Sequence, residues 1–380
     1  MNFELTKEQR MIRDMVRDFA KAEIEPYARE LDETHSFRKE SFEKMGELGL
    51  LGIPFPEEYG GAGGDIVSYA LAVEEIGRAC GGTGLSYAAA VSLGATPFYN
   101  FGTEEQKQEF LVPMAQGKTL GAFGLTEPNA GSDAGGTRTR AYIDGDEWVI
   151  NGEKCWITNA EYSRQVVVTA VTGQNEKGRN IITAIIVPTN TPGVTIRSNY
   201  QKMGVRASNT CEIILENVRV PRENVLGDEK KGFGQFLNTL DGGRISIAAL
   251  SVGIAQAAFE KALAYSKERT QFGQSISKFQ GISFKLSDMA MEIELARNMV
   301  LKAAWLKDNG KPFKKEAAFA KLFASEMGFR TCNKAIQIHG GYGYMAEYDV
   351  ERHLRDIKLM EIGEGTSEIQ RVVISRLLGC

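Results

Sequence analysis

Val166-Val167-Val168-Thr169-Ala170-Val171 and Ile181-Ile182-Thr183-Ala184-Ile185-Ile186-Val187 are short β-branched runs in the middle of a chain whose two flanks have a helical pattern. β-branched side chains crowd a helix and suit a pleated surface, so such runs read as strands. Trp148-Val149-Ile150 and Ile213-Ile214 belong to the same set, and Asp144-Gly145, Asn151-Gly152 and Pro192-Gly193 supply turns between them. This spacing predicts a small antiparallel β barrel or sandwich beginning near Leu120.

Both flanks read differently. Thr6-Lys7-Glu8-Gln9 has the form of a capping box, in which the Thr hydroxyl and the Gln side chain satisfy open amides at a helix start. Met11, Ile12, Met15, Val16, Phe19 and Ile24 then fall on one helical face. Residues 41–50 form a second short helix, ended by the Pro- and Gly-rich loop 54–64. Residues 67–77, 84–94 and 104–114 continue in helices, the last stopped by Gly117. Beyond the strands, residues 245–267, 281–309, 314–338 and 350–360 are long periodic segments, the pattern of an antiparallel bundle. The expected fold is mainly α with a middle β domain. It divides into an N-terminal helical domain (1–118), a middle β domain (119–228) and a C-terminal four-helix bundle (229–380).

A chain of 380 residues is too long for one ordinary core, which agrees with several domains. The formal net charge of −4, with both signs interspersed, gives no electrostatic reason for a nucleic-acid partner or an anionic membrane. MNFELTKEQR has neither the apolar core of a signal peptide nor the Arg/Ser-rich look of a transit peptide. The least polar long stretch, 248–259, is broken by Ser251, Gly253 and Gln256 and is too short to span a bilayer. A soluble cytoplasmic protein without membrane insertion is expected. Five cysteines with no C-x-x-C fit a reducing compartment. Three histidines, none at ligand spacing from another His or Cys, leave no metal site or His-based triad to expect.

Three segments carry possible chemistry. Gly341-Tyr342-Gly343-Tyr344-Met345-Ala346 is formally a dinucleotide fingerprint, but it follows a helical segment rather than a strand, and so reads as a loop between bundle helices. Residues 126–133 (TEPNAGSD) form a polar cluster at the α-to-β junction, either an ordinary turn or a cradle for phosphates or a heterocycle. Glu364 lies between Gly363 and Gly365. It is either a solvated loop glutamate or, in a water-poor pocket that raises its pKa, a general base.

From end to end the chain resembles the acyl-CoA dehydrogenases, and within them the short-chain, butyryl-type bacterial members. The matching segments, in the family's order and spacing, are FGLTEPNAGS (123–132), WITN (156–159), MGVRASNT (203–210), NVRVP (217–221), DGGR (241–244), RTQFG (269–273), QIHGGYG (337–343) and EGTSEIQR (364–371). The resemblance implies FAD as cofactor, an acyl-CoA substrate, electron-transferring flavoprotein as acceptor, and a homotetramer. Phe123, Leu125 and Thr126 would meet the flavin, with Trp156, Ile157 and Thr158 packed against its ring. Ser132 would serve the cofactor and reach CoA. Arg269, Phe272 and Gln280, with Gln337, Ile338, His339, Gly340 and Gly341, would hold the FAD pyrophosphate and adenine across a subunit boundary. Thr366, Ser367 and Glu368 would lie on the adenosine side. Asp241, Gly242, Gly243, Arg244 and Gly365 would line the substrate site.

Glu364 would be the base that removes the thioester α-proton while flavin N5 accepts the β-hydrogen, giving the trans-2-enoyl-CoA of fatty-acid β-oxidation. Backbone N–H of Glu364 would help to stabilise the enolate oxygen. Two departures stand out. Gly363 replaces the Tyr that many short-chain relatives carry before the base. Gly243 occupies the position from which the isovaleryl and long-chain branches supply their base, and it has no side chain. Small residues at 88–90 and 92–94, where family helices line the acyl cavity, imply room for more than butyryl. An acyl-CoA oxidase or enoyl-CoA reductase on the same fold is the alternative, followed by a nucleic-acid-associated flavoprotein that has lost the dehydrogenase role.

Overall fold

The capping box at Thr6 forms. Thr6 Oγ1 accepts from Gln9 N–H at 3.2 Å, Gln9 Oε1 accepts from Thr6 N–H at 3.0 Å, and helix α1 (Lys7–Glu23) follows. This computed structural model describes residues 4–380. Residues 1–3, the start of the stretch read for targeting signals, lie outside the described residues. Val16, Phe19 and Ile24 are buried as expected, but Met11 and Met15 stand exposed. The stripe that α1 lays on its main neighbour is narrower than its apolar face.

Helices α2 (Ala28–Thr34), α3 (Lys39–Glu47), α4 (Ile66–Ala79), α5 (Gly81–Ala89), α6 (Thr96–Phe101), α7 (Glu104–Gln106) and α8 (Val112–Ala115) complete the first part. π-helical turns at Ala90–Ala95 and Lys107–Leu111 join α5 to α6 and α7 to α8. The expected helix at 84–94 therefore ends in a widened turn, a feature often found at functional sites.

Strands β1 (Leu120–Gly124), β2 (Arg140–Asp144), β3 (Glu147–Thr158), β4 (Ser163–Gln174), β5 (Asn180–Pro188), β6 (Val194–Arg197) and β7 (Thr210–Pro221) make one curled sheet, ordered β1-β4-β2-β3-β7-β6 with β5 also on β4. Pairing is antiparallel except that β1 lies parallel to β4, as does the single bridge Arg140–Val171. β1 enters from a helix rather than a hairpin, so its direction is not fixed by a tight turn. Val166, Val168, Ile185 and Val187 point into the sheet's own core, while Val167 and Ile186 point into the helical core. Burial on both faces explains why these strands are unbroken apolar runs rather than alternating ones.

The C-terminal part has α9 (Gly232–Glu268), a hairpin of β8 (Thr270–Gln271) and β9 (Gln274–Ser275), α10 (Gln280–Asp308), α11 (Lys314–His339), α12 (Val350–Lys358) and α13 (Ser367–Leu378). α9 starts well before the expected residue 245, because its early glycines mask the helical pattern. It is long and apolar enough to cross a membrane, yet 67% of its most apolar window is buried inside the protein, where it packs on α11, α4 and α10. It is a core helix. The motif 341–346 forms 3₁₀ turns after α11, as a loop between helices. α13 was not expected; Thr366 caps it by accepting from Ile369 N–H at 3.3 Å. The helices of the first and last parts share one apolar core. Cys80, Cys155, Cys211 and Cys332 are buried and Cys380 exposed, all as free thiols.

Candidate active site

Between α12 and α13 the chain turns tightly, with Gly363 N–H bonded to Leu359 O at 2.8 Å. Glu364 then takes a left-handed φ of 53° and Gly365 a φ of 94°. For a residue with a Cβ this costs about 1–2 kcal/mol. Hydrogen bonds offset the cost. Gln370 Nε2 donates to the carbonyls of Gly365 (2.9 Å) and Glu364 (3.3 Å), and Lys321 Nζ donates to Gly365 O at 2.7 Å.

The turn drives the Glu364 side chain toward α9. A Cβ built on Gly243 would overlap Glu364 Oε2 and lie 3.3 Å from Leu93 Cδ2. Glu364 Oε2 is buried without a hydrogen-bond partner. Burial pushes the carboxyl up to about 7, against the pull of the Lys321 and Arg244 charges. Arg244 itself is tied to Asp241 at 2.5 Å, and Lys314 meets the other Asp241 oxygen at 3.1 Å. Among the described residues no acceptor meets Glu364 N–H, so this donor is available. At Gly363 a Cβ would find nothing nearer than Leu359 O at 3.6 Å. A side chain there would rest on Leu359. Glu364, Gly365, Gly243, Arg244 and Asp241 thus come together, whereas Gly242 turns toward Lys307.

A second group lies at the edge of the sheet. Glu127 accepts from the Arg138 and Thr139 amides at 2.6 and 3.1 Å and pairs with the fully buried Lys154 at 2.7 Å. Lys154 also donates to Thr169 Oγ1 and Leu125 O, and Cys155 N–H donates to Thr126 O at 3.0 Å. These bonds pin the 125–130 loop to β3. Just beyond, the β3–β7 register slips between Lys154 and Ile157, and Trp156 stands 61% exposed with a φ of 59°. A bulky residue with positive φ is a true backbone outlier, of the kind that clusters at ligand sites. Phe123 is stacked on Phe236 at 3.9 Å, and Leu125 and Ile157 are buried. What these three offer a ligand is main chain. Thr126 and Thr158 are half-buried and Ser132 exposed.

The third group is scattered. Phe272, at the tip of the β8–β9 hairpin, is 95% exposed with a φ of 52°. Arg269, Gln280, Gln337, Gly340 and Gly341 are exposed too, with Arg269 lying 5.7 Å over the Tyr342 ring. Ile338 and His339 instead face inward; His339 stacks on Tyr265 at 4.3 Å and its Nδ1 meets Ala335 O. Ser367 is buried with an unpartnered hydroxyl, Thr366 is half-buried and engaged as a cap, and Glu368 is exposed.

Residues 6–118 match the acyl-CoA dehydrogenase N-terminal domain, 122–218 the middle domain and 230–379 the C-terminal domain of that family. The chain belongs to the acyl-CoA dehydrogenase family. It is 74% identical over 378 residues to a probable acyl-CoA dehydrogenase of Bacillus subtilis, covering 100% of both chains. The solved butyryl-CoA dehydrogenase of Megasphaera elsdenii superposes with a TM-score of 0.97 at 47% identity, covering 100% of each. A chain from a structure concerned with the electron transferring flavoprotein of Acidaminococcus fermentans gives 0.97 at 48%, covering 100% of this chain and 99% of that one. The protein is therefore an oxidoreductase of the acyl-CoA dehydrogenase class.

Members of this family bind FAD, and a solved Bacillus anthracis acyl-CoA dehydrogenase complexed with FAD matches with a TM-score of 0.93 at 37% identity, over 99% of this chain and 67% of that one. The residues present fit such a group. Trp156 offers a bare aromatic face, and Ser367 Oγ is a buried polar atom without a partner.

Sequence reasoning missed Lys154 and Lys321, both fully buried, and Tyr69 on α4, whose phenol is kept neutral by burial and, more weakly, by the Glu364 charge. The only signal for Lys321 is its place among Ala317, Ala318, Ala320 and Ala324, where a small or apolar residue would be expected.

Proposed function

We propose that this chain catalyses the FAD-dependent α,β-dehydrogenation of short- to medium-chain acyl-CoA, branched chains included, to the trans-2-enoyl-CoA, with Glu364 as the α-proton base. One observation carries the reading. Glu364 Oε2 is buried and unpartnered, the half-buried residue is held by a left-handed turn against Gly243, and its carboxyl is pushed up to about 7. A base whose pKa lies near the working pH combines a useful ionised fraction with real proton affinity.

In this reading Asp241, Gly242, Gly243, Arg244 and Gly365 line the acyl thioester and CoA site, with Ser132 reaching CoA. Glu364 Oε2 takes the α-proton, and the free Glu364 N–H steadies the negative charge that grows on the thioester oxygen. FAD, when bound, takes up the β-hydrogen with its electron pair as the C=C bond forms. Phe123, Leu125, Thr126, Trp156, Ile157 and Thr158 hold its ring end, the first two and Ile157 through main chain. Thr366, Ser367 and Glu368 serve its adenosine side. Arg269, Phe272, Gln280 and residues 337–341 serve a neighbouring subunit's cofactor in a homotetramer, which the bare Phe272 hairpin and the exposed Phe284, Met291 and Leu295 on α10 support. Ala88, Ala89 and Ala90, all buried, and the π turn Ala90–Ala95 line the acyl tail beside Leu93 in this reading. Electrons pass to electron-transferring flavoprotein, as the Acidaminococcus likeness supports, in a cytoplasmic β-oxidation step.

The test is anaerobic flavin bleaching by butyryl- to dodecanoyl-CoA in the parent and in Glu364→Gln. Gln keeps the shape but accepts no proton, so the variant should retain FAD and lose bleaching by a factor on the order of a hundred or more. Bleaching within a few-fold of the parent would remove Glu364 from the role.

A further inference from the structure

Lys321 is fully buried on α11, and its ammonium spends its one hydrogen bond on a neutral carbonyl, that of Gly365. Taking an ammonium out of water costs several kcal/mol, by order of magnitude, and a buried lysine ordinarily recovers this from a carboxylate it touches. Here the carboxylate that acts most strongly on Lys321 is that of Glu364, one residue before the carbonyl that Lys321 holds. No hydrogen bond or ion pair joins the two side chains among the described residues. Packing alone would be served as well by Met.

We infer that Lys321 is a positioning residue for Glu364. Its ammonium fixes the Gly365 carbonyl, and with it the left-handed turn that aims the carboxylate at Gly243. It also supplies a nearby positive charge without bonding the oxygens that must take a proton. This rests on the reading of Glu364 as base.

The charged surroundings agree. From α9, Arg244 faces Glu364 but is engaged with Asp241; from α4, Tyr69 faces it as a neutral phenol. Around Lys321 stand Glu364, Glu361 (held by Lys358) and Glu368, with Arg244 as the opposing cation. Burial pushes Lys321 down to about 8, and Glu364 is the largest charge resisting this. The lysine therefore remains mostly charged at neutral pH. Direct pairing would have pulled Glu364 low and made it a poor base.

The experiment uses the FAD-loaded full chain as parent, Lys321→Met and Lys321→Arg, each with and without Glu364→Gln. Lys321→Met should fold, because Gln370 still donates to the Gly365 carbonyl; the flavin spectrum checks this. The first readout is the pH dependence of anaerobic reduction by butyryl-CoA. Losing the charge should move its midpoint up by about one pH unit, while Arg should leave it near the parent value. The second readout needs no turnover: the difference in thermal midpoint between each protein and its Glu364→Gln partner, from pH 5 to 9. That difference reports Glu364 titration and should shift upward in Lys321→Met alone. If Lys321→Met titrates like the parent in both readouts, or Arg and Met shift alike, Lys321 is only filling space and the inference is wrong. If Glu364→Gln itself still bleaches, the base assignment fails, and the second readout still decides whether Lys321 governs Glu364.

Discussion

The protein buries two lysines beside two glutamates and obtains opposite results. In the middle part, Lys154 touches Glu127 at 2.7 Å and two backbone amides complete the carboxylate's shell. Burial pushes Glu127 up, but these partners outweigh it and hold the carboxyl below its ordinary value. Near α13, Lys321 stops at the neighbouring carbonyl, the carboxylate keeps an unpartnered oxygen, and Glu364 is raised to about 7. The same residue pair is a clasp where the charges meet and leaves a carboxylate oxygen unpartnered where the backbone comes between them. What separates them is the left-handed turn at 364–365, which presents a carbonyl to the lysine and sends the carboxylate elsewhere.

Glutamate-to-glutamine substitution at each site sharpens this contrast. At 364 it should cut flavin reduction on the order of a hundredfold or more while leaving the fold intact. At 127 it leaves Lys154 buried without its counter-charge, a loss of about 3–5 kcal/mol by the usual cost of breaking a buried pair. Calorimetry should show Glu127→Gln unfolding well below the parent. A Glu127→Gln protein that melts with the parent would mean that the clasp is not structural.

Moving the carboxylate tests whether the α9 face is the place it serves. Because a side chain at 243 would overlap Glu364 Oε2, the two cannot coexist unmoved. Gly243→Glu should therefore be combined with Glu364→Gly, glycine being the residue that the positive φ tolerates. Partial recovery of reduction relative to Glu364→Gly alone is expected, limited because small misplacement of a base costs much rate. Butyryl-, hexanoyl- and isovaleryl-CoA bleaching would reveal it; no recovery with any of them, in a folded FAD protein, contradicts this geometry.

The smallest effect is on stability. Glu364 has a folded-state pKa near 7 against an ordinary 4.5. Between those values the unfolded chain loses its proton before the folded one does, so stability falls as pH rises through that window and levels off above it. Glu364→Gln lacks this titration. It should match the parent near pH 4 and melt higher than the parent at pH 8, the reverse of what Glu127→Gln should do at neutral pH. Equal midpoints at both pH values would show that Glu364 is not a strained carboxylate.

The sequence by itself determined the order of helices, strands and helices, because periodicity, the Thr6 cap and the β-branched runs are local signals that each segment carries alone. At Glu364 the flanking glycines left a solvated loop glutamate and a general base both open, and the resemblance to the acyl-CoA dehydrogenases, with no side chain at 243, pointed to the base. Long-range matters were silent. That β4 and β5 are apolar on both faces because a helical core covers the outside of the sheet depends on residues far along the chain. So does the burial of α9, whose length would suit a membrane in isolation. Whether a lysine grips a carboxylate or the carbonyl beside it is settled by a few ångströms of backbone path. Lys154 follows Glu153 in a mixed stretch and Lys321 stands among alanines and phenylalanines, and neither setting says which oxygen the ammonium will meet. Only the tertiary structure, by fixing which oxygen each ammonium meets when water is excluded, makes one a tie to a carboxylate and leaves the carboxylate beside the other without a partner.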